Sequence, residues 1–175
     1  MKVFTISGHA ESGKDTVANQ LKWQIEDQIF NAHVVIIHYA DMLKFICRQC
    51  FDWNGKKDDN GRNLLQHVGT DIVRKKDPNF WVDMMVKVLK VFDDVWDVVI
   101  IPDCRFPNEA DTMKEQFDAV CVKVVRPGYT NHLTEEQRHH ASETSMDDYQ
   151  FDYIINNPGD EGLEQNVADF VFKFL

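Results

Sequence analysis

The sequence predicts an α/β protein in three layers, with five parallel strands in one sheet and helices on both faces. Two observations predict it. Five β-rich runs alternate with helical patterns along the whole chain, which calls for parallel strands joined by right-handed crossovers. The three middle runs are apolar almost throughout, as strands covered on both faces are.

KVFTIS (2–7) is the first strand, and residues 14–30 follow as a helix with Val17, Leu21, Trp23 and Ile25 among polar residues. HVVIIHY (33–39) reads as the second strand and 41–51 as the second helix. DWNGKKDDNGR (52–62) is polar and glycine-bearing, the composition of an exposed loop. Helical patterns over 63–76 and 80–92 come next, then the strand DVVIIPD (97–103), a helix over 107–117 and the strand AVCVKVVR (119–126). A second polar stretch (127–148) reads as a lid-like cover, before the strand DYIINN (152–157) and a last helix over 161–174. The 175 residues fit a single domain, with a helical insertion at about 41–95 and a lid at about 127–148.

Composition narrows the function. A net charge of −10, from 29 acidic and 19 basic residues, repels polyanions and argues against an extended nucleic-acid partner. No apolar stretch is long enough to cross a bilayer, and MKVFTISG lacks the apolar core of a signal peptide. The expected compartment is therefore the cytoplasm, with no membrane partner. Four cysteines include a lone CRQC at 47–50; without a second such pair, zinc or redox chemistry is disfavoured.

Ligands on parallel sheets bind at the carboxyl ends of strands, and GHAESGKDT (8–16) lies at the end of the first. Gly8 and Gly13 bracket four residues and Lys14 follows, the spacing of a phosphate-binding loop (P-loop). Glycines there let backbone N–H groups approach phosphate oxygens ahead of a helix N-terminus. Gly8, Ala10, Glu11, Ser12, Gly13, Lys14, Asp15 and Thr16 are thus the expected ATP-phosphate contacts, although a plain glycine turn has the same outline. Asp15 takes the position of the usual hydroxyl residue, and Thr16 comes one place later. An acid facing phosphates would repel them, so Asp15 is expected to face hydrated Mg²⁺ or to turn away. Asp103 ends a buried strand, as does the acid that holds magnesium in P-loop enzymes; a turn-capping acid is the alternative.

Arg74, Arg105, Arg126 and Arg138 are spread over four segments. They suit an acceptor that is itself a phosphate, where two repelling anions must be neutralised and no base is needed. His9 could donate to phosphate from within the loop, and His139 and His140 could reach a ligand from the cover.

Several segments together resemble the deoxynucleoside monophosphate kinases of large bacteriophages. They are GHAESGKDT, YADMLK, LLQHVGTDIVRKKDPNFW, VVIIPDCRFPNEAD and HASETSMDDYQFDYIINN, which cover most of the chain. SGKDT alone also resembles the loop of animal phosphomevalonate kinases, a related fold with another acceptor. The resemblance implies a P-loop NTPase fold and transfer of the ATP γ-phosphoryl group to a deoxynucleoside monophosphate, with Mg²⁺ and, as in phage relatives, a homodimer. It implies donor contacts from Lys14, catalytic roles for Lys14, Arg105, Arg126 and Arg138, and acceptor contacts from Asp41, Lys44, Arg74, Trp81, Arg105, Arg126, Gly128 and Tyr129. Asp15, Thr16 and Asp103 are its implied metal residues. A P-loop module that binds nucleotide without transferring phosphate is the competing class.

Overall fold

The computed structural model describes all 175 residues, Met1–Leu175. Its strands are β1 (Lys2–Ser7), β2 (Val34–Ile36), β3 (Val98–Ile101), β4 (Val120–Val125) and β5 (Tyr153–Asn156). They form one sheet of order β2-β3-β1-β4-β5, parallel at every pairing. β1 is central, so its carboxyl end opens between the turns that leave β3 and β4. β2 is shorter than its apolar run predicts. It lies at the sheet edge, and Val35 and Ile36 are only half-buried.

The helices are α1 (Lys14–Gln28), α2 (Ala40–Cys50), α3 (Asp59–Gln66), α4 (Phe80–Val91), α5 (Pro107–Phe117), α6 (Glu135–His139), α7 (Ala141–Thr144) and α8 (Gly162–Phe174). The period-2 alternation of the strands divides the core. Phe4, Ile6, Val98, Ile100, Val122 and Val124 face α1 and α8. Val3, Val99, Ile101 and Cys121 face the opposite layer, with α2, α4 and α5. The three predicted layers are therefore present, and no helix is long and apolar enough to cross a membrane.

Two segments depart from expectation. Helix α3 starts inside the expected loop 52–62, because Asp58 Oδ1 accepts the Gly61 N–H at 2.9 Å and caps the turn. Trp53 in the same loop is buried, its indole N–H on Lys56 O at 2.9 Å. The second segment, His67–Arg74, continues α3 as a π-helix. Such widened turns are uncommon and gather at functional sites. Gly69 sits there against Leu43, close enough that an added Cβ would lie 2.6 Å from a leucine methyl. The Gly69 carbonyl also accepts the Trp81 indole N–H at 3.1 Å.

Candidate functional site

The loop after β1 has the backbone that phosphate binding needs. Gly13 adopts φ 88° at the start of α1, a left-handed conformation that L side chains avoid. A Cβ there would also lie 2.1 Å from Asn157 Nδ2. Asn157 itself is buried and donates to Ser12 O at 2.9 Å, so the turn after β5 holds the loop from behind. Lys14 folds back to donate to Gly8 O at 2.6 Å and His9 O at 2.8 Å. Burial, and secondarily the charge of Arg105, push its ammonium down to about 8, while Glu143, Asp15 and Asp103 pull the other way.

Beside the loop lies a cavity of about 410 Å³. Six cations line it: Lys14, Lys44, Lys57, Arg62, Arg74 and Arg105. Leu43, Leu65, Gly69, Trp81, Phe106 and Leu133 line it too, with Gln66 and Thr70 supplying polar groups. The lining therefore combines charged groups with apolar and aromatic ones, and the two kinds meet where Arg74 lies over Phe106. Five carboxylates, Glu11, Asp15, Asp103, Glu109 and Glu143, line the cavity as well, so in a chain of net charge −10 it is locally near balance and less repulsive to an anion than the average surface.

Buried carboxylates aim two of the arginines. Glu109, on the first turn of α5, pairs through Oε1 with Arg74 Nη2. Its Oε2 accepts the backbone N–H of Arg105 at 2.6 Å and of Phe106 at 3.1 Å. Arg74 also lies over the Phe106 ring at 4.0 Å. Arg105 Nη1 donates to Ser142 O at 2.9 Å and pairs with Glu143 Oε1.

Of the expected loop contacts, Ala10, Glu11, Gly13, Lys14, Asp15 and Thr16 line the cavity. Glu11 Oε2 accepts from Tyr129 OH and contacts His132 Nδ1, both at 2.9 Å, while Oε1 pairs with the cavity-lining Arg62 at 3.4 Å. Gly8 borders a separate small recess, and Ser12 is buried behind the loop. Lys44, Arg74, Trp81 and Arg105 all line the cavity. Asp41 stands outside the lining set and holds Lys44 Nζ at 3.0 Å.

Arg126, Gly128, Tyr129 and Arg138 are not brought to the cavity wall. Arg126 stacks over Tyr129 at 4.1 Å on the outer flank of the P-loop, with Gly159 beside it. Gly128 is exposed, and a Cβ added there would meet nothing within 4 Å. Arg138 bonds within its own segment, to Leu133 O at 2.9 Å. His9 contacts Asp147 at 3.0 Å rather than the cavity.

Asp15, Thr16 and Asp103 stand together on the wall beside the loop. Asp103 accepts from the backbone N–H of Tyr39 and Ala40, both at 3.0 Å, and thereby caps α2 as well. Asp15 lies 3.5 Å from His38 Nε2; hydrogen bonding to His38 holds its carboxyl below the ordinary value, and Asp15 in turn raises the imidazole. No three His, Cys, Asp or Glu groups gather into a ready-made cage. Magnesium at phosphates keeps waters and takes one or two carboxylates plus substrate oxygens, and these residues fit that mode.

Fold and loop together define the class: an α/β nucleotide-binding protein with the P-loop NTPase fold. Kti12 of Chaetomium thermophilum, solved in complex with ADP-AlF3, shares the fold at a TM-score of 0.53 and 12% identity, over 98% of each chain. The deoxynucleotide monophosphate kinase family model matches residues 36–167, and the chain belongs to that family. It is 33% identical over 100 residues to the deoxynucleotide monophosphate kinase of Enterobacteria phage T4, a match covering 56% of this chain and 39% of the phage protein. It is 26% identical over 197 positions to a protein of Acanthamoeba polyphaga mimivirus provisionally given the same name, with 96% and 95% covered.

Proposed function

We propose that the chain transfers the γ-phosphoryl group of ATP to a deoxynucleoside monophosphate, giving ADP and the deoxynucleoside diphosphate. The observation that carries this reading is the cavity that is lined at once by the P-loop, by Arg74 and Arg105, and by the aromatic and apolar side chains of Trp81, Phe106 and Leu43. A module that only binds nucleotide needs the loop; Arg74 and Arg105, both fixed by carboxylates, supply a second anion site. Family membership adds that the second anion is a nucleotide.

The step breaks the bond between the γ-phosphorus and the β–γ bridging oxygen and forms one to an acceptor phosphate oxygen. That oxygen is already largely ionised at pH 7, because a phosphate monoester has a second pKa near 6. No general base is required. The work of the protein is to neutralise and align the two anions. Lys14 and the loop amides take the donor tail, Arg105 stands at the junction, and Arg74 and Lys44 take the acceptor phosphate. Trp81 and Phe106 wall the acceptor base and sugar. Arg126 and Tyr129, on the outer flank of the loop, suit the donor nucleoside rather than the acceptor. Asp15, Thr16 and Asp103 would hold Mg²⁺, which neutralises charge on the β- and γ-oxygens.

A coupled ADP-release assay over deoxynucleoside and ribonucleoside monophosphates, with phosphomevalonate and no-acceptor controls, tests the reading. Acceptor-dependent ADP release on deoxynucleotides is expected. Release without acceptor, or only with phosphomevalonate, would overturn it.

Two further outcomes concern the donor end. Asp15→Ala is expected to raise the Mg²⁺ concentration needed for half-maximal activity while leaving ATP affinity nearly unchanged; equal losses in a titration would remove Asp15 from the metal site. Phosphate restores the full charge on Lys14, so ATP binding should take up a proton above pH 8, and affinity should fall as pH rises through about 8. Calorimetry at pH 8.5 in two buffers of different ionisation enthalpy measures that uptake. Identical apparent enthalpies would contradict it.

A further inference from the structure

Glu143 belongs to the stretch expected to be a cover, yet it is tied to the floor of the site. Its side chain is 5% exposed. One carboxylate oxygen accepts the P-loop N–H of Ala10 at 2.9 Å, and the other pairs with Arg105 Nη1. Burial opposes its charge, but Arg105, the Ala10 N–H and Lys14 hold its carboxyl below the ordinary value. The residue before it, Ser142, is buried and gives its carbonyl to Arg105, while Met146 one turn later is part of the core. Four residues on, Asp147 meets the His9 ring at 3.0 Å. Helix α7 and the turn after it therefore brace the first half of the loop from the side of β4.

We propose that Glu143 is a positioning residue for phosphoryl transfer, fixing the Arg105 guanidinium relative to the phosphate loop so that both meet the transferred group in one geometry. An arginine at this junction, 33% exposed along its side chain, would otherwise sample many rotamers. Ordering it in advance removes that cost from the reaction step. The carboxylate also lowers the net charge of the cluster, so the resting site tolerates Lys14 and Arg105 together.

The inference rests on the kinase reading, and a double-mutant cycle separates the two. In the wild-type background, E143A is expected to lower kcat by about 10²-fold with the ATP-analogue Kd within about threefold, because orientation and not binding is lost. In an R105A background, E143A should cost less than about threefold in kcat, since its effect runs through the arginine. E143Q keeps an acceptor for the Ala10 N–H but loses the charge that holds Arg105, so it should show most of the same loss. Should E143A fail to fold, the cycle is run with E143Q, which leaves packing intact. Equal kcat losses in both backgrounds, or a loss confined to ATP affinity, would overturn the positioning role. A wild-type chain active on deoxynucleotides whose E143Q variant is unimpaired would sink this inference alone. A wild-type chain inert on every acceptor would sink the kinase reading and the inference with it.

Discussion

Arg105→Ala should lower kcat/KM for the acceptor by about 10²–10³-fold, the usual scale when one preorganised donor to a developing charge is removed, and change ATP affinity little. Arg105 lines the cavity beside Lys14 and Asp103, where the two phosphates must approach. Its backbone is pinned by Glu109 and its side chain by Glu143 and the Ser142 carbonyl. The guanidinium is thus organised before substrate arrives, and alanine removes both the charge and that organisation. Lysine should restore little, because a point charge cannot reproduce the planar fork that bonds two oxygens at once. Steady-state kinetics with saturating ATP, beside binding of a non-hydrolysable analogue, separate the two quantities. Unchanged kcat/KM for the acceptor would take Arg105 out of the reaction and leave Arg74 and Lys44 as the acceptor cations.

The layers of the fold and the phosphate loop were legible because each rests on local chemistry. Continuous apolar runs such as Val98 to Ile101 specify strands covered on both sides, and two glycines ahead of Lys14 specify a turn that exposes amides. The cavity wall was partly legible, through Arg74, Trp81 and Arg105, each inside a segment that resembles the family. What escaped is long-range. Nothing in the sequence near Glu109 or Glu143 marks them as the partners of arginines 35 and 38 residues away; an acid on a helix is ordinarily solvated. Lys57 and Arg62 come from a stretch whose composition is that of a loop, and only the Asp58 cap and the burial of Trp53 turn it towards the cavity. Arg126 and Tyr129 have the opposite history. Their position after β4 suggests a nucleotide contact, but the strand order sends them to the outer flank of the loop rather than to the cavity wall.

Glu109→Ala should be the most destabilising change near the site, by about 3–5 kcal/mol, because removing one member of a buried ion pair strands the other. Glu109 is 1% exposed and its partner Arg74 11%, and the N–H groups of Arg105 and Phe106 would lose their acceptor as well. In a chain of this size each kcal/mol shifts Tm by roughly 2–4 °C, so a fall on the order of 10 °C is expected, with KM for the acceptor rising as Arg74 loses its anchor. Glu109→Gln isolates the charge. Burial pushes the Glu109 carboxyl up to about 7 from 4.5, against the pull of Arg74 and the two N–H groups. Between about 4.5 and 7 the folded chain then retains a proton that the unfolded chain has released. Stability from this group is therefore full below 4.5 and declines as pH rises through 7. The glutamine variant lacks that slope, so the stability of wild type relative to the variant should fall between about pH 5 and pH 8. Thermal melts of both proteins across that range read the difference directly, and a value that stayed constant would mean that Glu109 keeps one charge state throughout and that its pairing with Arg74 does not titrate.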